Sequence, residues 1–180
     1  MLLADAVAVV YRHRDWWHEH APTYDVSGWP SSSSPLIDTP NCLAWAYGVS
    51  DQGALKPGSR AVRSGNRQLD LDRVVTRPRN VRGGLSADGA TRLDARDLLS
   101  RSRPDRLPPG WLMAAYWGPK DVHFRRVDVD GRWSEKQGST GPRQLGRLSL
   151  WRLLLYKSGE GDRCGLIGLF WWPLPSFAEQ

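Results

Sequence analysis

The sequence is poor in cysteine and contains no long hydrophobic segment. Its two cysteines, Cys42 and Cys164, exclude a small scaffold held together by several disulfides, although one bridge between them remains open. No apolar run approaches the roughly 18 residues that a membrane-spanning helix needs, so no membrane span is expected. Walker, dinucleotide-binding and HExxH motifs are also missing, and no cofactor and no metal site is expected.

The amino-terminal segment lacks the features of an export signal. Residues 1–10 are apolar, but they include Asp5, carry no basic residue and lead into a charged stretch instead of a cleavage site. We therefore expect synthesis in the cytoplasm, with any export by a route that needs no classical signal peptide. The spacing of the apolar residues predicts a helix over the first twenty positions.

Positive charge is concentrated in one stretch of the chain. The net charge is +6, and residues 56–106 alone contain thirteen basic and six acidic residues, a net charge of +7. Such a surface suits nucleic acid, acidic lipid or an anionic cell-wall polymer. It contains no aromatic side chain on which bases could stack, which disfavours nucleic acid as a partner. Residues 56–90, rich in Arg, Gly and Pro, are predicted to form an irregular insertion or flap.

The second half of the sequence predicts an antiparallel sheet. A helix is expected over residues 91–99, before the Pro-Pro-Gly at 108–110. Asp130-Gly131 is a strong signal for a hairpin turn. Strands are expected over residues 111–117, 122–128 and 132–136, and around 150–156 and 166–172. Helices followed by about four to six antiparallel strands indicate an α+β fold, and the length is that of one domain spanning residues 1–180.

Cys42 is the main candidate for a catalytic residue in the sequence. Thr39 or Asn41 can cap a helix, Pro40 suits its first position and Gly48 can end it. The thiol is therefore predicted to lie in the first helical turn, where unpaired N–H groups and the helix dipole favour the thiolate. A thiolate in such a position can act as a nucleophile.

A cysteine nucleophile needs a base and a group that orients the base. His123 is the one histidine that follows Cys42 in the sequence, and it begins a predicted strand. The hairpin partner of that strand carries Glu135, so the turn is expected to bring the carboxylate beside the imidazole. The alternative orienting carboxylates are Asp121, Asp128 and Asp130.

The order of these residues resembles that of a known fold. Along the chain come Cys42, Pro109-Gly110, the predicted strand 111–117, His123 and, twelve residues later, Glu135. The same order characterises the papain-like fold of NlpC-type cell-wall peptidases and the related CHAP amidases. The resemblance implies a cysteine hydrolase, in which the cysteine attacks a carbonyl, the histidine transfers the proton and the third residue holds the imidazole.

The surroundings of the nucleophile depart from the NlpC pattern. That pattern has Asp-Cys-Ser-Gly, whereas residues 41–44 read Asn-Cys-Leu-Ala, and no glutamine precedes Cys42. The oxyanion donor of papain therefore has no counterpart here. We expect the donors to be the Cys42 backbone N–H and the Tyr24 side chain. Asn41 and Trp45 are expected to lie at the substrate site.

Three functions remain open at this point. The resemblance implies peptides of bacterial peptidoglycan as the first substrate class. The same thiol could instead cleave, deamidate or acylate an intracellular protein, as papain-like effectors do. The third reading is a basic binding module without catalysis. Expected partners are a peptide or cell-wall substrate and, for a toxin or effector, an immunity or inhibitor protein.

Overall fold

The computed structural model describes most of the chain. The described residues are 15–29, 40–51, 53–65, 68–74, 77–100, 102–118, 122–137, 140–148, 153, 155–157 and 163–174. A single 3-10 turn, Asp15–Trp17, is the first described element. Most of the helix predicted over the first twenty residues therefore lies outside the described residues, as does Asp121.

Five short helices and seven strands make up the regular structure of the described residues. The helices are α1 (Cys42–Tyr47), α2 (Ser59–Arg63), α3 (Leu71–Val74), α4 (Pro78–Ala87) and α5 (Ala95–Leu99). The strands are β1 (Thr91–Arg92), β2 (Gly110–Trp117), β3 (Val122–Val127), β4 (Trp133–Lys136), β5 (Pro142–Gly146), β6 (Leu155–Lys157) and β7 (Arg163–Pro173).

The strands form one antiparallel sheet. Six of them follow one another in the order β1-β7-β2-β3-β4-β5, and β6 pairs with another part of the long strand β7. This confirms the predicted α+β class. Strand β5 was not predicted, because its sequence is polar and half-buried and begins with Pro142, which is typical of an edge strand.

The core lies on both faces of the central strand β2, whose residues from Gly110 to Tyr116 are all buried. On one face, Trp111 donates its Nε1–H to the carbonyl of Ala46 in α1, with 3.0 Å between the heavy atoms. On the other face, the rings of Trp16 and Trp17 pack against Trp171 of β7. Because both faces are covered, β2 is hydrophobic throughout and does not alternate.

The described part of the stretch 56–90 is largely helical, so the prediction of an irregular insertion was wrong. It contains α2, α3 and α4, and Pro78 occupies the first turn of α4, where its missing N–H costs no hydrogen bond. Val81, Gly84 and Leu85 form the buried side of α4. Helices of four to ten residues show too few periods for the apolar pattern to reveal them.

A buried carboxylate joins these helices to α1. Asp88 follows α4 and accepts hydrogen bonds from the hydroxyl of Tyr47 in α1, at 2.9 Å, and from the backbone N–H of Gly58, at 2.7 Å. Its second oxygen accepts from the N–H of Ala61 in α2. Burial raises the pKa of Asp88 above its ordinary value, and these hydrogen bonds offset only part of that rise. The basic stretch is thereby attached to the helix that carries Cys42.

The helix predicted over residues 91–99 begins later in the structure. Thr91 and Arg92 form β1 and pair with Trp171 and Phe170 of β7. Helix α5 starts at Ala95, because Asp94 caps its first turn and forms a reciprocal capping box with Asp97.

Two adjacent glycines of α4 offer a matched test of the helical packing. A Cβ added at Gly84 would lie 2.6 Å from the carbonyl oxygen of Pro57, whereas one at Gly83 meets no atom within 4 Å. We expect Gly84→Ala to lower the free energy of unfolding by about 1–3 kcal/mol through overpacking. Gly83→Ala should raise it by up to about 1 kcal/mol through helix propensity. Urea unfolding measures both, and equal effects would contradict the packing of α4 against Pro57.

Candidate active site

Cys42 is the first residue of α1, as predicted from the sequence. The Asn41 side-chain oxygen accepts from the backbone N–H groups of Leu43 and Ala44, at 3.2 and 3.1 Å, and so caps the helix. Gly48 ends it with φ +71°. Cys42 is buried, and it forms no disulfide with Cys164. The thiol therefore lies in the first turn of α1, beside the backbone N–H groups that the Asn41 side chain accepts from.

Three contacts fix the direction of α1 over the sheet. The Cys42 thiol donates a hydrogen bond to the carbonyl oxygen of Val122, which begins β3, with 3.8 Å between sulfur and oxygen. One turn later, the carbonyl of Trp45 accepts from Nη1 of Arg126 near the end of β3, at 2.8 Å. The Trp45 Nε1–H donates to the Ser134 hydroxyl of β4 at 3.0 Å. Helix α1 therefore runs in the same direction as β3, with its first residue at the beginning of that strand.

The hairpin brings His123 and Glu135 together. Nε2 of His123 lies 2.9 Å from Oε2 of Glu135, and both side chains are buried. The register explains the contact: Arg125 of β3 is directly opposite Glu135 of β4, and His123 lies two residues before Arg125 on the same face. The sequence-based expectation that the turn at Asp130 would bring the carboxylate beside the imidazole is confirmed.

The described alternative carboxylates have other partners. Asp128 pairs with Nε of Arg126 at 3.0 Å and accepts from the hydroxyl of Ser134. Asp130 accepts the backbone N–H of Arg132 within the hairpin turn. Both carboxylates therefore contribute to the structure of the hairpin and its contact with α1.

Glu135 is surrounded by hydrogen-bond donors. Its Oε2 accepts from Nε of Arg125 at 2.7 Å in addition to His123, and its Oε1 accepts from Nε of Arg143 at 2.8 Å and from Gln137. Burial would raise the pKa of Glu135, but the hydrogen bond and charge of His123 and the charge of Arg125 outweigh it and lower the pKa to about 2. The carboxylate is therefore ionised at neutral pH.

The thiol and the imidazole approach the start of β3 from different directions. Alternation along β3 directs Phe124 and Arg126 to the face covered by α1, and His123 and Arg125 to the opposite face. Cys42 belongs to α1, and its sulfur lies 3.8 Å from the carbonyl oxygen of Val122, the residue before His123. A reaction involving both groups would have to take place at the start of β3.

Three further residues were expected at the substrate or oxyanion site. Tyr24 donates its hydroxyl proton to the carbonyl of Pro142 at 3.0 Å. Asn41 caps α1 and donates from Nδ2 to the carbonyl of Leu55. The fully buried Trp45 uses its indole N–H for Ser134, and its ring meets the edge of Tyr24. In this structure, the side-chain hydrogen bonds of all three residues stabilise the fold around Cys42.

Sequence reasoning did not single out three charged residues of the site. Arg125 and Arg143 contact the Glu135 carboxylate, and Lys136 is buried at the end of β4. The two-residue periodicity of a strand was the available signal, since it places Arg125 on the face of His123. Arg143 could not be found in this way, because its strand was not predicted.

The described residues show no metal centre and no membrane span. In the ranges given above, no three His, Cys, Asp or Glu side chains are grouped so that they could hold a metal ion. None of the helices within those ranges is both long and apolar enough to cross a bilayer.

The low pKa of Glu135 predicts that the free energy of unfolding decreases at acidic pH. A carboxylate whose folded-state pKa is about 2, below its ordinary 4.5, stabilises the fold above pH 4.5 and loses that contribution as the pH falls toward 2. The full contribution is about 3 kcal/mol. We expect the free energy of unfolding to fall by about that much more in the wild type than in Glu135→Gln between pH 5 and 2. Guanidinium unfolding at each pH measures the free energy of unfolding of both proteins. If the two values fall in parallel with decreasing pH, the low pKa of Glu135 is contradicted.

The chain was also compared with known proteins. No protein-family model, no curated protein and no solved structure matches it.

Proposed function

We propose that this protein is a cysteine-dependent hydrolase of amide or peptide bonds, with Cys42 as nucleophile, His123 as general base and acid, and Glu135 as the group that orients His123. The observation that carries the proposal is the 2.9 Å contact between His123 Nε2 and Glu135, next to the peptide group against which Cys42 lies. Such an arrangement supplies the nucleophile, the base and the orienting group of a thiol hydrolase.

The proton in this reaction would move through the second nitrogen of the imidazole. Glu135 occupies Nε2, so exchange with the Cys42 thiol proceeds through Nδ1 of His123. The sulfur attacks the substrate carbonyl while the imidazole takes the thiol proton. The imidazolium then protonates the leaving amine, which departs and leaves a thioester. Water attacks the thioester with His123 again as base, and the acid product and the thiol are released.

The ionised state of Glu135 supports this role. With a pKa of about 2, the carboxylate is negative at any pH at which a thiol hydrolase works. It can therefore hold the imidazole ring in one orientation and stabilise the imidazolium that forms during the reaction. The guanidinium of Arg125, 2.7 Å from the same carboxylate oxygen, limits that stabilisation. His123 can then give the proton back to the leaving amine.

Peptides of bacterial peptidoglycan are the first substrate class that we propose. The support is the resemblance of the Cys42, His123 and Glu135 order to NlpC-type and CHAP-type enzymes. The basic stretch adds to it, because Arg63, Arg77 and Arg79 are exposed on the α2 to α4 region that Asp88 attaches to α1. A positive surface on that region favours an anionic wall polymer.

Digestion of two substrate pools tests the proposal. Purified peptidoglycan sacculi and a cell lysate are each incubated with the protein, and with protein treated beforehand with iodoacetamide, and new amino and carboxyl termini are identified by mass spectrometry. We expect new termini in peptidoglycan peptides with the untreated protein only. New termini or deamidated side chains confined to lysate proteins would favour the effector alternative. Salt-sensitive binding to sacculi with no new termini would favour a basic binding module and contradict the proposed hydrolase.

A further inference from the structure

Lys136 is a buried cation on the side of the sheet that α1 covers. It is the last residue of β4 and has no exposed surface. Residues two apart in a strand share a face, so Lys136 lies on the face of Ser134, which binds Trp45 of α1 at 3.0 Å. Glu135, between the two, belongs to the opposite face together with His123. Lys136 is therefore on the α1 side and separate from the His123 pair.

The directions of α1 and β4 place Lys136 nearer than Ser134 to the end of α1 that carries Cys42. Helix α1 runs parallel to β3, and β4 is antiparallel to β3. A step from Ser134 to Lys136 is therefore a step from Trp45 toward the first residue of α1. The register of β3 and β4, continued by one residue, places Lys136 beside Phe124, two residues or about 6.6 Å along the strand from Val122, whose carbonyl Cys42 contacts.

The electrostatics of Lys136 agree with this placement. Burial lowers the pKa of Lys136, and the negative charge of the Cys42 thiolate raises it. An interaction between two charges acts on both partners, so an ammonium that the thiolate stabilises also stabilises the thiolate. Nearby lysine is one of the features that make a cysteine reactive.

We propose that Lys136 is a positioning residue for Cys42, whose ammonium, buried on the α1 side of the sheet, stabilises the Cys42 thiolate directly and not through the imidazole of His123. The inference rests on the proposed role of Cys42 as nucleophile. Lys136 would stabilise the thiolate from the α1 side of the sheet, while the pair of His123 and Glu135 accepts the thiol proton and returns it to the leaving amine.

The pH profile of thiol alkylation tests this role without any substrate. All variants carry Cys164→Ala, so that only Cys42 reacts, and the rate with iodoacetamide is followed from about pH 4 to pH 10, which spans the range of cysteine pKa values. Lys136→Met should raise the midpoint of the profile by about one pH unit, which lowers the rate about tenfold on its acid side. Lys136→Arg, which keeps the charge, should restore the wild-type midpoint.

Ser134→Ala is the structural control. It removes the hydroxyl that binds Trp45 from the same strand and the same face but changes no charge, so the midpoint should not move. A midpoint that is unchanged in Lys136→Met, or raised equally in Ser134→Ala, would overturn the proposal.

A His123→Ala background separates the effect of Lys136 on the sulfur from that of His123. Because Lys136 acts on the sulfur without the imidazole, Lys136→Met should raise the midpoint in this background by the same amount as in the wild type. A shift that disappears when His123 is absent would show that Lys136 acts through the imidazole, and it would also overturn the proposal.

A second measurement applies even where Lys136→Met does not fold. The conservative change Cys42→Ala removes the thiolate, so the pKa of Lys136 should fall, and NMR of lysines labelled at Cε measures it. The other three lysines, Lys56, Lys120 and Lys157, serve as internal references. An unchanged Lys136 titration would refute the coupling. If the Lys136 titration is unchanged but peptide cleavage still depends on Cys42, the proposed hydrolase function stands and only the role of Lys136 is refuted.

Discussion

Replacing Cys42 by alanine is expected to lower kcat/KM for peptide cleavage by at least about 10³-fold, since loss of the nucleophile removes the thioester route entirely. The fold should survive, because the change removes one small, buried side-chain atom and leaves the Asn41 cap of α1 in place. The cost in the free energy of unfolding should be about 1 kcal/mol. Product formation from peptidoglycan, measured by chromatography with mass spectrometry, gives the rate.

Cys164→Ala is the matched control for this variant. Cys164 in β7 is as buried as Cys42, each with 8% of its surface exposed. The two substitutions remove the same atom at the same degree of burial, so their effects on stability should be similar. We expect only Cys42→Ala to abolish cleavage. Equal activity of the two variants would contradict the assignment of Cys42 as nucleophile.

Replacing Arg126 by methionine is expected to cause the largest loss of stability, about 3–5 kcal/mol. Arg126 is buried and pairs with the fully buried Asp128 at 3.0 Å, and its guanidinium lies 4.0 Å from the ring of Trp45. It also donates to the carbonyl of Trp45. Its removal leaves a buried carboxylate without its counter-charge and detaches α1 from β3. Thermal unfolding should show a melting temperature lower by about 10 °C.

The same hairpin supplies the control and a rescue. Arg132 pairs with Asp130 at 3.6 Å, but about half of each side chain is exposed, so Arg132→Met should cost less than about 1 kcal/mol. Adding Asp128→Asn to Arg126→Met removes the buried carboxylate charge that has lost its counter-charge, and this should recover part of the free energy of unfolding. Equal losses from Arg126→Met and Arg132→Met would show that burial of the first pair is not what makes it important.

The predictions that succeeded from sequence rest on local chemistry. An asparagine one residue before Cys42 and a glycine at position 48 are capping signals, and α1 begins and ends where they indicate. Asp130-Gly131 predicts a turn, and the turn places His123 and Glu135 on neighbouring strands. The wrong predictions concern the helices between residues 56 and 90 and the start of α5. In the first of these regions, tertiary contacts such as those of Asp88 decide the outcome.

The sequence by itself placed Cys42 in the first turn of α1 and predicted the hairpin that brings Glu135 beside His123, because each depends on residues close together in the chain or on the two-residue period of a strand. The structure decided between Thr39 and Asn41 as the cap, and between Glu135 and the carboxylates of Asp128 and Asp130 as the partner of His123. Only the tertiary structure decided how α1 packs on β3 and β4, and hence that Cys42 lies against the carbonyl of Val122. The burial of Lys136 on the α1 side of the sheet was decided in the same way. Such contacts join residues far apart in the chain, and no local pattern encodes the direction in which a helix packs on a sheet.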